Sequence, residues 1–369
     1  LLKIQKDKSP IIELYLDYKG WAKRMSTYGQ NLLDQINPVS NRLHSSYTQI
    51  LNTGRLSCGG KQAGVQLINL QNIPADPETR RCFTNQNKDS VLVDCDYSGQ
   101  ESVVLANFSG DPELLDFYKK GLGDMHSFVA SKLFPELKDV PLRSIKQEYP
   151  QLRQQAKSAN FAIAYGGTGY TIANNLSLPK EQGDAVYNAY MEAFPGLKNF
   201  FNKAHKQVFR DGYILFNSVT HRKSYISGFK KYLELKEQVD NKDFWQKYRI
   251  EKANNTDEFV NTLKPLVREY FKLKGKIGRN AQNYRIQGSS ADITKLAGIY
   301  FYNYLIENDL LFTVLISNFV HDEILVESPV NISEEIAAAM KDSMERAGLV
   351  FCKTVPLKAE PQISLEWEH

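Results

Sequence analysis

Residues 152–166 carry two chemically distinct stripes at helical spacing. In a helix, the cations Arg153 and Lys157 and the rings Phe161 and Tyr165 would follow one another at intervals of four residues. Residues four apart share a helix face, so this stripe would be about 18 Å long at about 1.5 Å of rise per residue. The second, apolar stripe consists of Leu152, Ala156, Ala159 and Ile163. The segment therefore predicts an amphipathic helix whose front is either a solvated basic face or a site for a nucleoside triphosphate.

The composition is typical of a globular protein, because 42% of the 369 residues are hydrophobic and 24% are charged. The formal net charge of +4 permits a polyanionic partner but does not require one. No apolar run approaches the roughly 18 residues of a membrane span, and no signal peptide is recognisable. Cys58, Cys82, Cys95 and Cys352 have no C-x-x-C spacing, which predicts free thiols in a reducing compartment.

A short apolar run, Val91–Val93, precedes the carboxylates Asp94 and Asp96 and predicts a buried strand. A helix is expected to follow it, with Ser98 as its cap. A carboxylate at the end of a buried strand is costly unless it is paired or binds a metal ion. Asp96 is therefore either a turn or capping residue or a metal ligand.

Two further apolar runs, Leu311–Val320 and Ile324–Val326, flank residues 321–323 and predict a β-hairpin with acids at its bend. If this hairpin lies beside the strand that ends at Asp96, then Asp96 and Asp322 can share two divalent cations. Two metal ions about 3.5–4 Å apart hold the attacking and leaving oxygens of a phosphoryl transfer, and magnesium favours such oxygen ligands. The alternative is an ordinary acidic turn.

The remaining patterns are mainly helical. Helices are predicted at 11–25, 112–120, 279–298 and 334–350. Two or three further helices are predicted within 179–209, with Pro195 and Gly196 between them. Residues 228–276 combine many charges with apolar residues at helical intervals, which predicts a helical insertion with a charged outer surface. That insertion is either a solvated subdomain or a surface for a nucleic acid or another partner. Arg55 in a loop and His126 at a helix start are by themselves ambiguous between local structural roles and ligand binding.

Three separated motifs resemble, in this order, those of family A DNA polymerases, the bacterial DNA polymerase I type. They are Asp96-Tyr97-Ser98-Gly99-Gln100-Glu101, Arg153-x3-Lys157-x2-Asn160-Phe161-x3-Tyr165-Gly166 and Val320-His321-Asp322-Glu323. Residues 53–57 and 70–74, together with Arg279, Asn283 and Gln287, match further parts of the family pattern. The first motif and the two residues after it depart from the usual family residues at positions 99, 100, 102 and 103, and the 228–276 insertion is not usual in the bacterial enzymes. These differences indicate a phage, organellar or otherwise divergent member.

The resemblance implies a right-hand polymerase fold of the α/β (α+β) class, with an antiparallel-sheet palm, helical fingers and a partial thumb. It places the base of the thumb at 1–50, the first part of the palm at 51–115, the fingers at 116–278 with the insertion at about 228–276, and the second part of the palm at 279–369.

The resemblance also implies roles for single residues. The catalytic set is Asp96, Asp322, Lys157 and Glu323, and the metal ligands are Asp96, Asp322 and the backbone carbonyl of Tyr97. The nucleotide-binding set is Arg153, Lys157, Phe161, Tyr165, His126, Glu101 and Tyr97. The DNA-binding set is Arg55, Asn283, Gln287, Arg279 and His321. Within these sets, Glu101 is implied as a steric gate against a ribose 2′-OH, Phe161 as a contact to the sugar, and Tyr165 as a neighbour of the templating base.

The implied activity is template-directed addition of deoxynucleotides to a primer 3′-OH with release of pyrophosphate. The implied cofactors are two Mg²⁺ ions, for which Mn²⁺ can substitute, and the implied partners are primer-template DNA and dNTPs, with no membrane. The resemblance further implies a monomer in the cytoplasm of a bacterium or phage-infected cell, or in an organelle. It leaves room for an upstream 3′–5′ exonuclease domain or a processivity partner.

Two other functions remain open at this point. A single-subunit RNA polymerase uses related motifs, but a bulky acid such as Glu101 near the sugar would disfavour ribonucleotides. A nucleic-acid-binding protein without catalysis would not need both Asp96 and Asp322.

Overall fold

The computed structural model describes residues 9–62, 64–74, 76–85 and 87–367, so residues 1–8 of the expected thumb base lie outside the described residues. The helices are α1 Pro10–Tyr28, α2 Gln30–Leu33, α3 Pro77–Arg80, α4 Gln100–Ser109, α5 Pro112–Lys120, α6 Met125–Leu133, α7 Leu142–Glu148, α8 Pro150–Ala164, α9 Gly169–Leu176, α10 Lys180–Ala193, α11 Pro195–Asp211, α12 Phe229–Val239, α13 Lys242–Asn254, α14 Lys264–Glu307 and α15 Ser333–Phe351. The strands are β1 Tyr47–Thr48, β2 Ser57–Cys58, β3 Gly60–Gln62, β4 Val65–Leu67, β5 Ser90–Tyr97, β6 Tyr213–Leu215, β7 Lys223–Tyr225, β8 Leu315–Val320, β9 Glu323–Pro329 and β10 Ala359–Ser364.

The chain divides into two compact units. The first takes its residues from Leu1–Gln100 and Ser290–His369, and the second is Glu101–Ser289. The expected limits 276 and 279, between the insertion and the second part of the palm, both fall inside α14. The assignment of thumb, palm and fingers to ranges of the chain stays a prediction.

The first unit is built on a four-stranded antiparallel sheet with the order β10-β5-β9-β8. Its central strand β5 is buried along nearly its whole length, so both faces of the sheet are covered there. Side chains alternate between the two faces, with Val91, Val93 and Cys95 on one and Leu92, Asp94 and Asp96 on the other. One face packs on α15, where the hydroxyl of Tyr97 donates a hydrogen bond of 2.7 Å to the Met344 carbonyl. The opposite face, with Leu92 and Leu325, belongs to a separate apolar cluster that includes Trp367.

The second unit is helical around two groups of side chains. In the first group, α8 turns Ala156, Ala159 and Ile163 inward, all fully buried. The buried amide oxygen of Asn160 accepts a hydrogen bond of 2.7 Å from the hydroxyl of Tyr190 on α10. These contacts fix the rotation of α8 and leave the opposite stripe at the surface.

The second group joins α11 to the helices of the predicted insertion. Its buried members include Val208 on α11, Tyr232 and Leu235 on α12, and Tyr270 and Ile277 on α14. The rings of Tyr232 and Tyr270 stack with centroids 5.8 Å apart. The segment 228–276 therefore shares an apolar interior with α11 beneath its charged surface.

Most helices and strands predicted from the sequence are confirmed, with one correction at the hairpin. The strand predicted from Leu311 begins only at Leu315. The backbone amides of Thr313 and Val314 instead donate to the Leu310 carbonyl, at 3.0 and 2.9 Å, and so cannot join the strand ladder. Across the described ranges, no helix combines the length and the apolar character that a membrane span needs.

Candidate active site

In the first unit, three acids form a row across one end of the sheet. Asp96 on β5 pairs directly with Glu323 on β9 and with Glu360 on β10. Directly paired residues of an antiparallel sheet share a face. Asp322 lies in the two-residue bend between β8 and β9, where His321 adopts a positive φ of 56°. The fold therefore brings Asp96, Asp322 and Glu323 together, but it places Glu323 as the first residue of β9 rather than in the bend.

The ionisation of Asp96 reflects this crowding. Burial and the charges of Asp322 and Glu323 raise the pKa of Asp96 to about 7. Asp94, two residues earlier on the same face, is also buried. Burial and the charge of Glu323 raise the pKa of Asp94 to about 9, while the charge of Arg80 opposes the shift.

Glu323 is held by the C-terminal segment of the chain. The indole Nε1 of Trp367 donates a hydrogen bond of 2.8 Å to its Oε1. The guanidinium of Arg80 lies 4.3 Å from the centre of the Trp367 ring, and the ring of Phe83 meets the indole edge-on at 5.9 Å. The backbone amide of Trp367 also donates to the Phe83 carbonyl at 3.0 Å. This packing fixes the orientation of one carboxylate in the acidic row.

Two residues of the predicted DNA-binding set, Arg55 and His321, line one small cleft in the first unit. Lys295 on α14 and Gln71 line it as well. The amide nitrogen of Gln71 donates a hydrogen bond of 2.9 Å to the Phe319 carbonyl, which anchors the loop to β8. The cleft thus presents cationic side chains beside the acidic bend.

In the second unit, the phosphate-binding candidate Arg153 is engaged by an acid. Its Nε and Nη2 donate to the two oxygens of Asp124 at 2.5 and 2.9 Å. Asp124 also caps α6 by accepting from the backbone amide of Ser127 at 3.1 Å. Burial disfavours the charge of Asp124, but the hydrogen bonds from Arg153 and Ser127 outweigh it and hold its pKa well below the usual range. A phosphate that binds Arg153 would have to share it with Asp124.

His126, Lys157 and Phe161 lie together on the front of α8 and the start of α6. The rings of His126 and Phe161 have centroids 5.6 Å apart, and the ammonium of Lys157 lies 6.0 Å from the centre of the Phe161 ring. The Nδ1 of His126 is buried and has no hydrogen-bond partner among the described residues. Burial lowers the pKa of His126, and the charges of Arg153 and Lys157 act in the same direction. This polar nitrogen is available to a ligand.

A cavity of about 40 Å³ is lined by four predicted site residues: Glu101, Phe161, Tyr165 and Asn283. The hydroxyl of Tyr165 donates a hydrogen bond of 3.0 Å to Oε2 of Glu101. The Oδ1 of Asn283 is buried without a hydrogen-bond partner in the described part of the chain. The predicted steric gate and the predicted sugar contact therefore share one small cavity.

The end of α8 approaches α14 closely at Gly166. A side chain there would place its Cβ 2.9 Å from the Cα of Arg279, and the φ of Gly166 is +76°. Both features require glycine. Arg279, Asn283 and Gln287 follow at intervals of four on α14, so they share one helix face. The second unit thus places the first of these predicted DNA contacts next to the end of α8.

Several residues of these sites were not identified from the sequence. They are Arg80, Asp124, Lys295 and Trp367. For Asp94, the sequence indicates only a position in a buried strand. Arg80, Asp124 and Trp367 act through partners more than 25 residues away, which a local pattern does not reveal. Asp94 stands out through burial, and Lys295 meets Arg55 and His321 only in the folded cleft. Asp124 had one signal, since an Asp directly before a helix is a typical cap.

The donor set at the acidic end fits a hard divalent cation. Carboxylate oxygens are the ligands that Mg²⁺ and Mn²⁺ prefer, and a cation would relieve the repulsion that raises the pKa of Asp96. Within the described residues, no group of three or more His, Cys, Asp or Glu side chains is placed to hold a metal ion by itself. Asp96 and Asp322 would therefore need oxygen ligands from water or substrate to complete a site. The side chain of Tyr97 points into the core, so only its backbone could contribute.

The fold is that of a polymerase domain. It matches the POL domain of Pol1 from M. smegmatis, solved in complex with DNA primer-template and dNTP, with a TM-score of 0.76 and 26% identity over 99% of this chain and 55% of that chain. The family model for DNA polymerase family A matches residues 1–369. The chain therefore belongs to DNA polymerase family A, whose members depend in general on divalent metal ions.

Sequence relatives agree with this assignment. DNA polymerase I of Caldicellulosiruptor bescii is 32% identical over 98% of this chain, and DNA polymerase I of Streptococcus pneumoniae is 31% identical over 97%. DNA polymerase I of Bacillus subtilis is 29% identical over 98% of this chain. The chain spans 36%, 35% and 35% of the length of these relatives, respectively.

Proposed function

We propose that this chain is a template-directed DNA polymerase that adds deoxynucleotides to a primer 3′-OH and releases pyrophosphate. The observation that carries the proposal is the convergence of Asp96, Asp322 and Glu323 at one end of the sheet. A carboxylate cluster of this kind is costly to fold and is expected where cations must be bound. Membership of DNA polymerase family A supports the same activity.

Asp96 and Asp322 would hold two Mg²⁺ ions, or Mn²⁺ in their place, with the backbone carbonyl of Tyr97 as a further ligand. The ions would supply Lewis-acid chemistry to the 3′-oxygen and the leaving pyrophosphate. Glu323 can favour cation binding without being a metal ligand itself. Held by Trp367, it adds negative charge beside Asp96 and so favours cation binding at this end of the sheet.

The front of the second unit would bind the incoming nucleotide. Arg153, Lys157 and His126 would contact the triphosphate, and the buried Nδ1 of His126 would gain a partner on binding. Phe161 would lie against the sugar, with Tyr165 beside the templating base. Glu101, oriented by the hydroxyl of Tyr165, would occupy the space that a ribose 2′-OH needs.

The DNA contacts would come from Arg55 and His321 in the first unit and from Arg279, Asn283 and Gln287 in the second. Hydrogen bonds to minor-groove acceptors, which all base pairs share, would test pair geometry without reading sequence. The palm would comprise residues 51–115 and 279–369, the fingers residues 116–278, and the base of the thumb residues 1–50. The protein would act as a monomer. It would work in the cytoplasm of a bacterium or a phage-infected cell, or in an organelle. An upstream exonuclease domain or a processivity partner is compatible with this setting.

Primer extension with Mg²⁺ tests the proposal directly. The unmodified protein should extend a primer with dNTPs, and Asp322→Asn should abolish extension while primer-template binding, followed by fluorescence anisotropy, is largely retained. Asp342→Asn is a matched control, because Asp342 is an exposed acid of the same unit that forms only a surface ion pair with Arg346. Its activity should equal that of the unmodified protein.

The two alternative functions predict different results. A folded, DNA-binding sample that incorporates no nucleotide would favour a binding protein without catalysis. A preference for rNTPs over dNTPs would favour a single-subunit RNA polymerase.

A further inference from the structure

The first part of α14 carries a row of exposed cations. Lys264, Arg268, Lys272 and Lys276 follow one another at intervals of four residues, and all are exposed. Side chains at this interval lie on one side of a helix, and 12 residues span about 18 Å. We call these four residues the basic row.

The basic row lies in a locally unbalanced stretch. Residues 264–279 contain six Lys or Arg and one acid, Glu269. That acid forms an ion pair of 2.5 Å with Lys231 on α12 rather than with the row. Within the described residues, no member of the basic row forms an ion pair. Like charges four apart slightly destabilise a helix, and an anion bound there would relieve their repulsion.

The neighbouring helices show a different pattern. Residues 229–254, which hold α12 and α13, contain seven Lys or Arg and five acids. Lys236 pairs with Asp240 at 2.9 Å, and Lys247 pairs with Glu258 at 2.5 Å. The charges of this stretch largely compensate one another, as expected for a solvated surface. The basic row therefore differs from the rest of the same helical segment.

An exposed aromatic ring accompanies the row. Phe271 is 51% exposed and lies three residues after Arg268, on the same side of α14. Its ring is supported from behind by Tyr270, with centroids 5.1 Å apart, and by Trp245 at 6.3 Å. A supported ring beside cations is suited to stack on an unpaired base while the cations contact the strand.

We propose that the basic row and Phe271 bind single-stranded template DNA. The inference rests on the proposed polymerase function and extends it to a surface outside the family motifs. The row is continuous along α14 with Arg279, Asn283 and Gln287, the proposed minor-groove contacts. Cations and an exposed ring together favour a single strand, because the bases of a duplex are stacked inside it and are not available to Phe271.

The test compares two quadruple variants of equal charge change. The row variant is Lys264→Gln, Arg268→Gln, Lys272→Gln and Lys276→Gln. The control variant is Lys230→Gln, Lys242→Gln, Arg249→Gln and Lys252→Gln, which alters four exposed cations of α12 and α13. Affinity for fluorescent primer-template is measured at several salt concentrations, with a long 5′ template overhang and with blunt duplex.

The row variant should bind the long overhang more weakly. Its negative slope of log affinity against log salt should become less steep by about 0.7 for each phosphate that the protein no longer neutralises. The control variant should match the unmodified protein. Phe271→Leu keeps an apolar side chain against Trp245 but removes the ring, so it should weaken overhang binding at an unchanged salt slope. Thermal unfolding of each variant verifies that it is folded.

Equal reductions in affinity for the row and control variants would overturn the inference, since net charge alone would then explain them. An equal reduction for the row variant on overhang and blunt duplex would overturn the assignment to single-stranded template. Failure of the unmodified protein to extend a primer would instead contradict the proposed function, which separates the two results.

Discussion

The indole nitrogen of Trp367 donates a hydrogen bond of 2.8 Å to Glu323, the first residue of β9. Both side chains are buried, with 2% and 4% of their surface exposed. Glu323 pairs in turn with Asp96 across the strands β5 and β9. A residue 44 positions further along the chain thus orients an acid of the proposed metal site.

Trp367→Phe should lower both stability and activity. Phenylalanine keeps a ring against Phe83 but leaves a buried oxygen of Glu323 without its donor, which should reduce the free energy of unfolding by about 1–3 kcal/mol. Urea unfolding and single-turnover nucleotide incorporation measure the two effects. Trp21→Phe, at a tryptophan that is 59% exposed, is the control. Equal unfolding midpoints for the two variants would contradict the role given to this hydrogen bond.

Glu101→Ala should admit ribonucleotides more readily, because it removes the side chain proposed to occupy the space of the 2′-OH. Tyr165→Phe should have a smaller effect in the same direction, since it only removes the hydroxyl that orients Glu101. The ratio of rNTP to dNTP incorporation in primer extension measures both. The gate assignment fails if Glu101→Ala leaves this ratio unchanged.

Phe161→Tyr should relax discrimination against dideoxynucleotides. A ring without a hydroxyl cannot replace the hydrogen bond that a missing 3′-OH would have made, whereas a tyrosine can. Phe161 is 46% exposed at the surface of α8, so the added hydroxyl should cost little stability. Competition between ddNTPs and dNTPs in extension assays is the measurement, and equal use of both by the unmodified protein would refute the idea.

Asp124→Asn should lower stability by about 1 kcal/mol at neutral pH, because it weakens the two hydrogen bonds to Arg153. The folded state lowers the pKa of Asp124, so its contribution is complete above the unfolded pKa of about 4 and is lost as the pH falls below it. The gap between the two proteins should therefore narrow in acid. Urea unfolding from pH 7 to pH 3 measures it, with Asp116→Asn, an exposed surface acid, as control. A gap independent of pH would show that charge is not the cause.

Local patterns predicted the elements well where one face of an element is buried. Of the two stripes of residues 152–166, the apolar one is buried at Ala156, Ala159 and Ile163. The opposite stripe is exposed at Phe161 and Tyr165 and half-buried at Arg153 and Lys157. The apolar run Val91–Val93 likewise predicted the buried strand β5, which ends after Asp96 at Tyr97. The start of β8 was predicted too early, since an apolar run does not reveal that residues 313 and 314 bond back to Leu310.

The sequence predicted two acids, Asp96 and Asp322, beside the ends of strands. It did not predict that Asp96 lies in a row with Glu323 and Glu360 across three strands. Asp96 and Asp322 stand next to apolar runs, and this signal is local. The contacts of Glu323 with Trp367, and of Arg153 with Asp124, depend on packing between distant segments. One sequence carries no local signal for such pairs, so the roles of single site residues stay predictions that the variants above can test.

The row of acids across β10, β5 and β9 makes the proposed metal site unfavourable for folding when no cation is bound. With a pKa raised to about 7, the carboxylate of Asp96 opposes folding at neutral pH, and a neutral asparagine there would remove that opposition. Selection for thermal stability alone would thus favour losing a group that the proposed chemistry needs. Stability and the proposed activity therefore make opposite demands on position 96.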